Sequence, residues 1–242
     1  MDIKEHNSGV RPENHWYYRT KRIPLAEYFD RTARIMSPVN VVDIGAGSGC
    51  FSDYLAGHGR GKIENIIRVD AAYESETSAG DSRISGQLIT LRQMPADIRR
   101  SLIVLMDVLE HIDDDAGFLR DVVSRCRGGN RVFITVPAFM GLWSAHDVFL
   151  EHKRRYTLSQ LEKTAEGAGI RLERGYYIYA GIFPLVWLMR RLRRGGKPVS
   201  DMKDNGKALS FILERLIRLE MPFRKYNRFC GLTCVVEGII AG

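Results

Sequence analysis

VVDIGAGSGCFSDYL, residues 41–55, decides how this chain is read. An apolar, β-branched run leads into glycines at 45, 47 and 49, and a helical pattern begins at Phe51. A strand that turns through glycines into a helix admits a ligand close to its backbone and offers N–H groups at the helix start. A dinucleotide site spaces its glycines G-x-G-x-x-G; here the third comes one place early, and Asp43 stands before the first. A carboxylate there is a poor neighbour for a pyrophosphate and a good one for an ammonium or sulfonium. Asp70, 21 residues past Gly49, ends the next apolar run and is placed to bond both hydroxyls of a ribose. A nucleoside with a cationic tail satisfies all three observations.

Outward from this stretch, strands are expected at 39–44, 63–69, 101–106, 131–137, 171–179 and 232–240. Helices are expected at 15–36, from 51, and at 116–127, 158–168 and 208–219, with Pro24 a candidate interruption of the first. Residues 1–14 read as a polar arm. Strands alternating with helices predict an α/β, doubly wound sheet covered on both faces. Apolar residues at 45% and charged residues at 27% exclude wholesale disorder. The start of the chain has no apolar h-region, so no secretory signal is expected. Four scattered cysteines form no C-x-x-C pair, which argues against a zinc site or a disulfide framework and for a reducing cytoplasm. No metal site is expected.

At the glycine loop and Asp70 the chain resembles the class I S-adenosylmethionine-dependent methyltransferases. LIVLMDVLEHIDDD, residues 102–115, is similar to that superfamily's fourth-strand motif. HWYYRTKR (15–22) and VPAFMGLWSAHDVFLEHKRRYTLSQL (136–161) resemble the branch with type 11/12 methyltransferase domains, similar to quinone-pathway and lipid or glycan methyltransferases. The resemblance implies a Rossmann-like seven-stranded sheet with one antiparallel edge strand. It also implies a single methyltransferase domain over 1–242, with an arm and lid helix at 1–36 and a helical insertion at 180–228 before the last strand. By the same resemblance Asp43, Gly45, Ala46 and Gly47 hold the methionine part of S-adenosyl-L-methionine. Asp70 then takes the ribose, Ala71 lies beside the adenine, and Asp107 sits near the sulfonium. Thr90 or Leu91 stands where the family carries an acidic residue.

Methyl transfer from a sulfonium needs alignment and exclusion of water, and a base only where the acceptor keeps its proton near neutral pH. His146 is the preferred candidate base, with His111, Asp147 and His152 as further candidates. SAHD has the alternative of ordering its loop, and His111 that of ordering a turn. In HKRRY (152–156), Arg154 or Arg155 either grips an anionic substrate or braces the loop.

The net charge of +7 is uneven: residues 176–230 hold twelve Lys or Arg against four Asp or Glu. Within them, YYIYAGIFPLVWLMRRLRRGGK (176–197) joins an apolar, aromatic stretch too short to span a bilayer to a cluster of basic residues. That pattern suits a helix lying in an anionic membrane surface. The alternative is a substrate lid or a contact between copies. Nucleic acid is not expected, because the aromatics share a face with aliphatics. FPLVWLMRRLRR is similar to an insertion of the same branch. The expected reaction is therefore O-methylation of an amphiphilic, lipid-linked or membrane-borne glycan acceptor. The alternatives are a soluble small metabolite as acceptor, or cofactor binding without catalysis.

Overall fold

A computed structural model describes residues 14–71, 73, 87–89, 93–192 and 206–240. The polar arm through residue 13, Thr90, Leu91, Arg193, Arg194 and Lys197 lie outside the described residues.

β1 (Val39–Ile44) shows why the sheet sits in the middle of the molecule. Val39 and Val41 enter one apolar layer, while Val42 and Ile44 enter the other. A strand apolar on both sides has to be covered on both sides. On one face lie α1 (Trp16–Met36) and α2 (Cys50–His58), through Leu25, Tyr28, Phe29, Phe51 and Leu55. On the other lie α3 (Asp115–Ser124) and α5 (Leu158–Gly167), through Leu119, Val122, Leu161 and Ala165. Between them a short α4 (Ala145–Phe149) follows the fifth strand. Pro24 leaves α1 unbroken: it forfeits one backbone hydrogen bond, and burial of Leu25, Tyr28 and Phe29 outweighs that loss.

The other strands are β2 (Ile63–Val69), β3 (Gln87–Ile89), β4 (Ser101–Met106), β5 (Asn130–Pro137), β6 (Ile170–Ile178) and β7 (Thr233–Ile240). They form one seven-stranded sheet in the order β3-β2-β1-β4-β5-β7-β6. β7 runs antiparallel to both of its neighbours. The sheet therefore has the one antiparallel strand expected, but not at the edge: β7 is interior and β6 closes the sheet. The residues explain the placement. TCVVEGII is buried almost throughout, whereas the first half of β6 carries Arg171, Glu173 and Arg174 towards solvent. Charges of that kind suit an edge strand.

β1 and β4 are neighbours at the centre, and the chain winds away from them in both directions. Their carboxyl ends form the crevice where sheets of this kind take ligands. Between β6 and β7 come α6 (Phe183–Leu192) and α7 (Lys207–Glu220), and α7 packs on α1.

Candidate cofactor and acceptor site

The loop after β1 needs its glycines. Gly45, Gly47 and Gly49 have φ of +70°, +53° and +75°, values that a side chain disfavours. A Cβ on Gly45 would also stand 2.5 Å from Cγ2 of Val108, beyond β4. The N–H groups of Gly45 and buried Ala46 donate to the Val69 carbonyl, tying the loop to the end of β2. Gly47 donates its N–H to the Asp70 carboxylate at 2.7 Å, and the Tyr73 hydroxyl donates to the Gly47 carbonyl at 2.7 Å. Ala71 is exposed next to Asp70. Beneath the loop Asp43 is buried, and one of its carboxylate oxygens has no hydrogen-bond partner. Burial pushes this carboxyl up, and a hydrogen bond from Ser52 offsets only part of the shift. An unsatisfied buried carboxylate below a glycine turn fits a ligand with a cationic group.

At the end of β4, Asp107 has φ +58° and accepts from Thr135 Oγ1 at 3.0 Å. It also forms an ion pair with Lys21, whose side chain is fully buried. The apolar surroundings would raise the Asp107 carboxyl, and the Lys21 ammonium outweighs them, holding it below the usual range. Lys21 donates as well to the Tyr17 hydroxyl at 2.8 Å, and the Tyr17 ring stacks on Tyr179 at 5.3 Å. Lys21 was not among the residues expected from the sequence. Its signal was there in HWYYRTKR: Tyr17 and Lys21 lie four apart and share one helix face. Trp16 and Tyr18 are buried, the latter against Phe51 of α2.

The turn after Asp107 carries Glu110 and His111. Glu110 is fully buried and neither of its oxygens accepts a hydrogen bond. The His111 ring meets the His152 ring edge-on, with centroids 4.8 Å apart. Buried His146 and Asp147 stand on α4, and both carboxylate oxygens of Asp147 are engaged within the loop. One of its oxygens accepts from His152 Nδ1 at 2.9 Å and from Arg155 Nε at 2.7 Å. The other accepts from the Ser144 N–H and hydroxyl, closing a capping box. Burial would raise this carboxyl, but these bonds and the Arg155 charge hold it well below the ordinary range. The loop-ordering reading of SAHD thus describes Asp147. Arg155 also donates to the Ala138 carbonyl, and Arg154 to that of Asp113, so both brace the loop.

With this geometry in place the comparison with known proteins is direct. The sequence profile of the methyltransferase-domain family matches residues 15–174, well over half of the chain. The chain belongs to the methyltransferase-domain family, and it shares its fold with S-adenosylmethionine-dependent methyltransferases of known structure. Over 176 residues it is 24% identical to a Mycolicibacterium smegmatis protein described as a "probable S-adenosylmethionine-dependent methyltransferase", covering 72% of this chain and 66% of that one. Over 122 residues it is 22% identical to the ubiquinone biosynthesis O-methyltransferase of Rickettsia conorii, covering 48% and 41%. The chain thus spans between two fifths and two thirds of these relatives. Phosphoethanolamine N-methyltransferase 2 of Haemonchus contortus, solved with S-adenosyl-L-methionine, shares the fold. Its TM-score is 0.52 at 13% identity, over 88% of this chain and 51% of that one.

Beside the methyltransferase crevice, α6 packs on the turn after β5, and Arg190 donates to the Leu142 carbonyl. Between them runs a groove of about 310 Å³ lined by Met140, Gly141, Trp143, Trp187, Arg190 and Arg191. Away from the groove, Leu185, Leu188, Met189 and Leu192 are exposed, and no residue of α6 is fully buried. α7 anchors through buried Ile217 and half-buried Leu213, while Leu209, Ile212, Leu216 and Leu219 face outward. Among the described residues no helix is long and apolar enough to cross a membrane.

Proposed function

We propose that this methyltransferase O-methylates an amphiphilic acceptor, lipid-linked or part of a membrane-borne glycan, while resting on an anionic membrane surface at the cytoplasmic face. The observation that carries the reading is α6. One side of it walls a groove of tryptophans and arginines, and its other residues expose a run of large apolar side chains beside basic ones. A groove of that lining suits an anionic headgroup with an apolar tail, and exposed aliphatics edged by arginine suit a bilayer interface. The quinone-pathway relatives favour oxygen as the attacking atom.

In this reading Asp43 neutralises the amino group of the cofactor's methionine part, and the Gly45–Gly47 turn allows backbone approach. Asp70 takes the ribose hydroxyls in exchange for the Gly47 N–H, with Ala71 beside the adenine. Asp107, held ionised by Lys21, sets a negative field near the sulfonium. When bound, S-adenosyl-L-methionine supplies an already activated methyl group. That methyl group would pass to the acceptor's oxygen, and a side chain of this site or solvent would take the acceptor's proton. The Tyr17–Tyr179 stack and α1 keep water from the reacting atoms. His146 and His111 remain the candidate proton acceptors.

Two measurements test this. Asp70→Ala is expected to weaken S-adenosylhomocysteine by about 1–3 kcal/mol in calorimetric titration, as for lost charge-assisted hydrogen bonds; an unchanged constant would put the ribose elsewhere. Arg190 is engaged with Leu142, so the surface test uses its neighbours. Replacing Arg191, Arg193 and Arg194 together by Gln removes about 1 kcal/mol each near an anionic surface, roughly 100-fold in partitioning. The variant should stay in the supernatant with phosphatidylglycerol vesicles that sediment the parent chain. Sedimentation of neither would favour a soluble acceptor with α6 acting as a lid; equal sedimentation of both would overturn the part given to these arginines in docking.

A further inference from the structure

The structure also holds a cluster of Glu110, His111 and His152, in which the methyl-transfer reading uses only His111, as one of two candidate proton acceptors; as a metal ligand it would leave that role to His146. Glu110 is fully buried, yet both of its carboxylate oxygens lack a hydrogen-bond donor. A buried carboxylate in that state is unfavourable unless it is protonated or meets a cation. His152 Nε2 stands 4.0 Å from Glu110 Oε1. One ligand atom each from Glu110, His111 and His152 can be chosen so that all lie within 4.8 Å of one another. Ligands about 2.0–2.2 Å from one ion lie roughly 3–4 Å apart, so small side-chain rotations would close the set.

We propose that Glu110, His111 and His152 form a binding site for a divalent transition-metal cation of the zinc type. Two imidazoles and a carboxylate are the donors such ions take, and three protein ligands leave a position open. A further observation is the mount of His152. Its Nδ1 bonds the buried Asp147 carboxylate at 2.9 Å, which fixes the ring and leaves Nε2 facing Glu110. Asp147 is itself held by Arg155 and Ser144. A carboxylate behind a histidine is the usual outer support of a metal ligand. Cysteine spacing carries no signal for such a site, because its ligands come from two segments some 40 positions apart. Resting on the methyl-transfer reading, the cation's open position would take the acceptor hydroxyl and make its proton easier to lose.

The test uses tag-free, chelator-treated protein titrated with Co²⁺ and followed by its visible absorption, with Zn²⁺ as competitor. The expected result is one equivalent of Co²⁺ with d–d bands, displaced by Zn²⁺. His152→Gln and Glu110→Gln should each weaken Co²⁺ at least tenfold while circular dichroism stays that of the parent. Asp70→Ala should leave Co²⁺ binding intact while cofactor affinity falls, which separates failure of this site from failure of the methyl-transfer reading. No stoichiometric Co²⁺ on the parent protein would overturn the site, whatever the variants do. So would bands that persist unchanged in both Gln variants.

Discussion

Gly47→Val is expected to reduce affinity for S-adenosylhomocysteine more than about 100-fold, or roughly 2.7 kcal/mol. Two effects add. Gly47 has φ +53°, a region costing a side-chain-bearing residue about 1–2 kcal/mol, and more when it is β-branched. The new isopropyl group would then rise from the turn that the ligand must approach, between Asp70 and the loop. The position is beyond the strand, so the two apolar layers are untouched and the protein should still fold, melting a few degrees lower. Calorimetric titration alongside circular dichroism separates the effects. A folded variant with parental affinity would move the cofactor away from this loop.

Asp147→Ala should instead act on stability, lowering the free energy of unfolding by about 3–5 kcal/mol in urea titrations, the usual cost of removing one partner of a buried ion pair. The carboxylate holds His152, Arg155 and the start of α4, and its loss strands the Arg155 guanidinium in a buried position. Asp147→Asn keeps the shape and the cap, and should recover part of the loss. Had Asp147 been the base, the Ala variant would lose turnover and keep its stability. That outcome would contradict the bracing role.

The central strands were legible because a strand covered on both faces is written as an apolar run with clear ends. β1, β2 and β4 fall at the expected residues. The turn that makes the crevice was legible too, since three left-handed positions in five residues call for glycine. Other parts lacked a local signal. β3 is three residues long and α4 five, shorter than either periodicity needs. That β7 lies inside β6 rests on pairings across some 60 positions, which no window along the chain contains. Lys21 meets Asp107 across 86 positions, and the Asp147–Arg155 pair became visible only with the loop after β5 folded. Helices α6 and α7 stand between β6 and β7, and what no local pattern announces is that Arg190 grips the protein itself.

The most direct test of the whole account is a crystal structure with S-adenosylhomocysteine. The account predicts the nucleoside at the carboxyl ends of β1 and β4, its ribose on Asp70, its amino group towards Asp43 and its sulfur near Asp107. A crevice that stays closed over Asp70 and Gly47, with the ligand bound elsewhere or not at all, would contradict it.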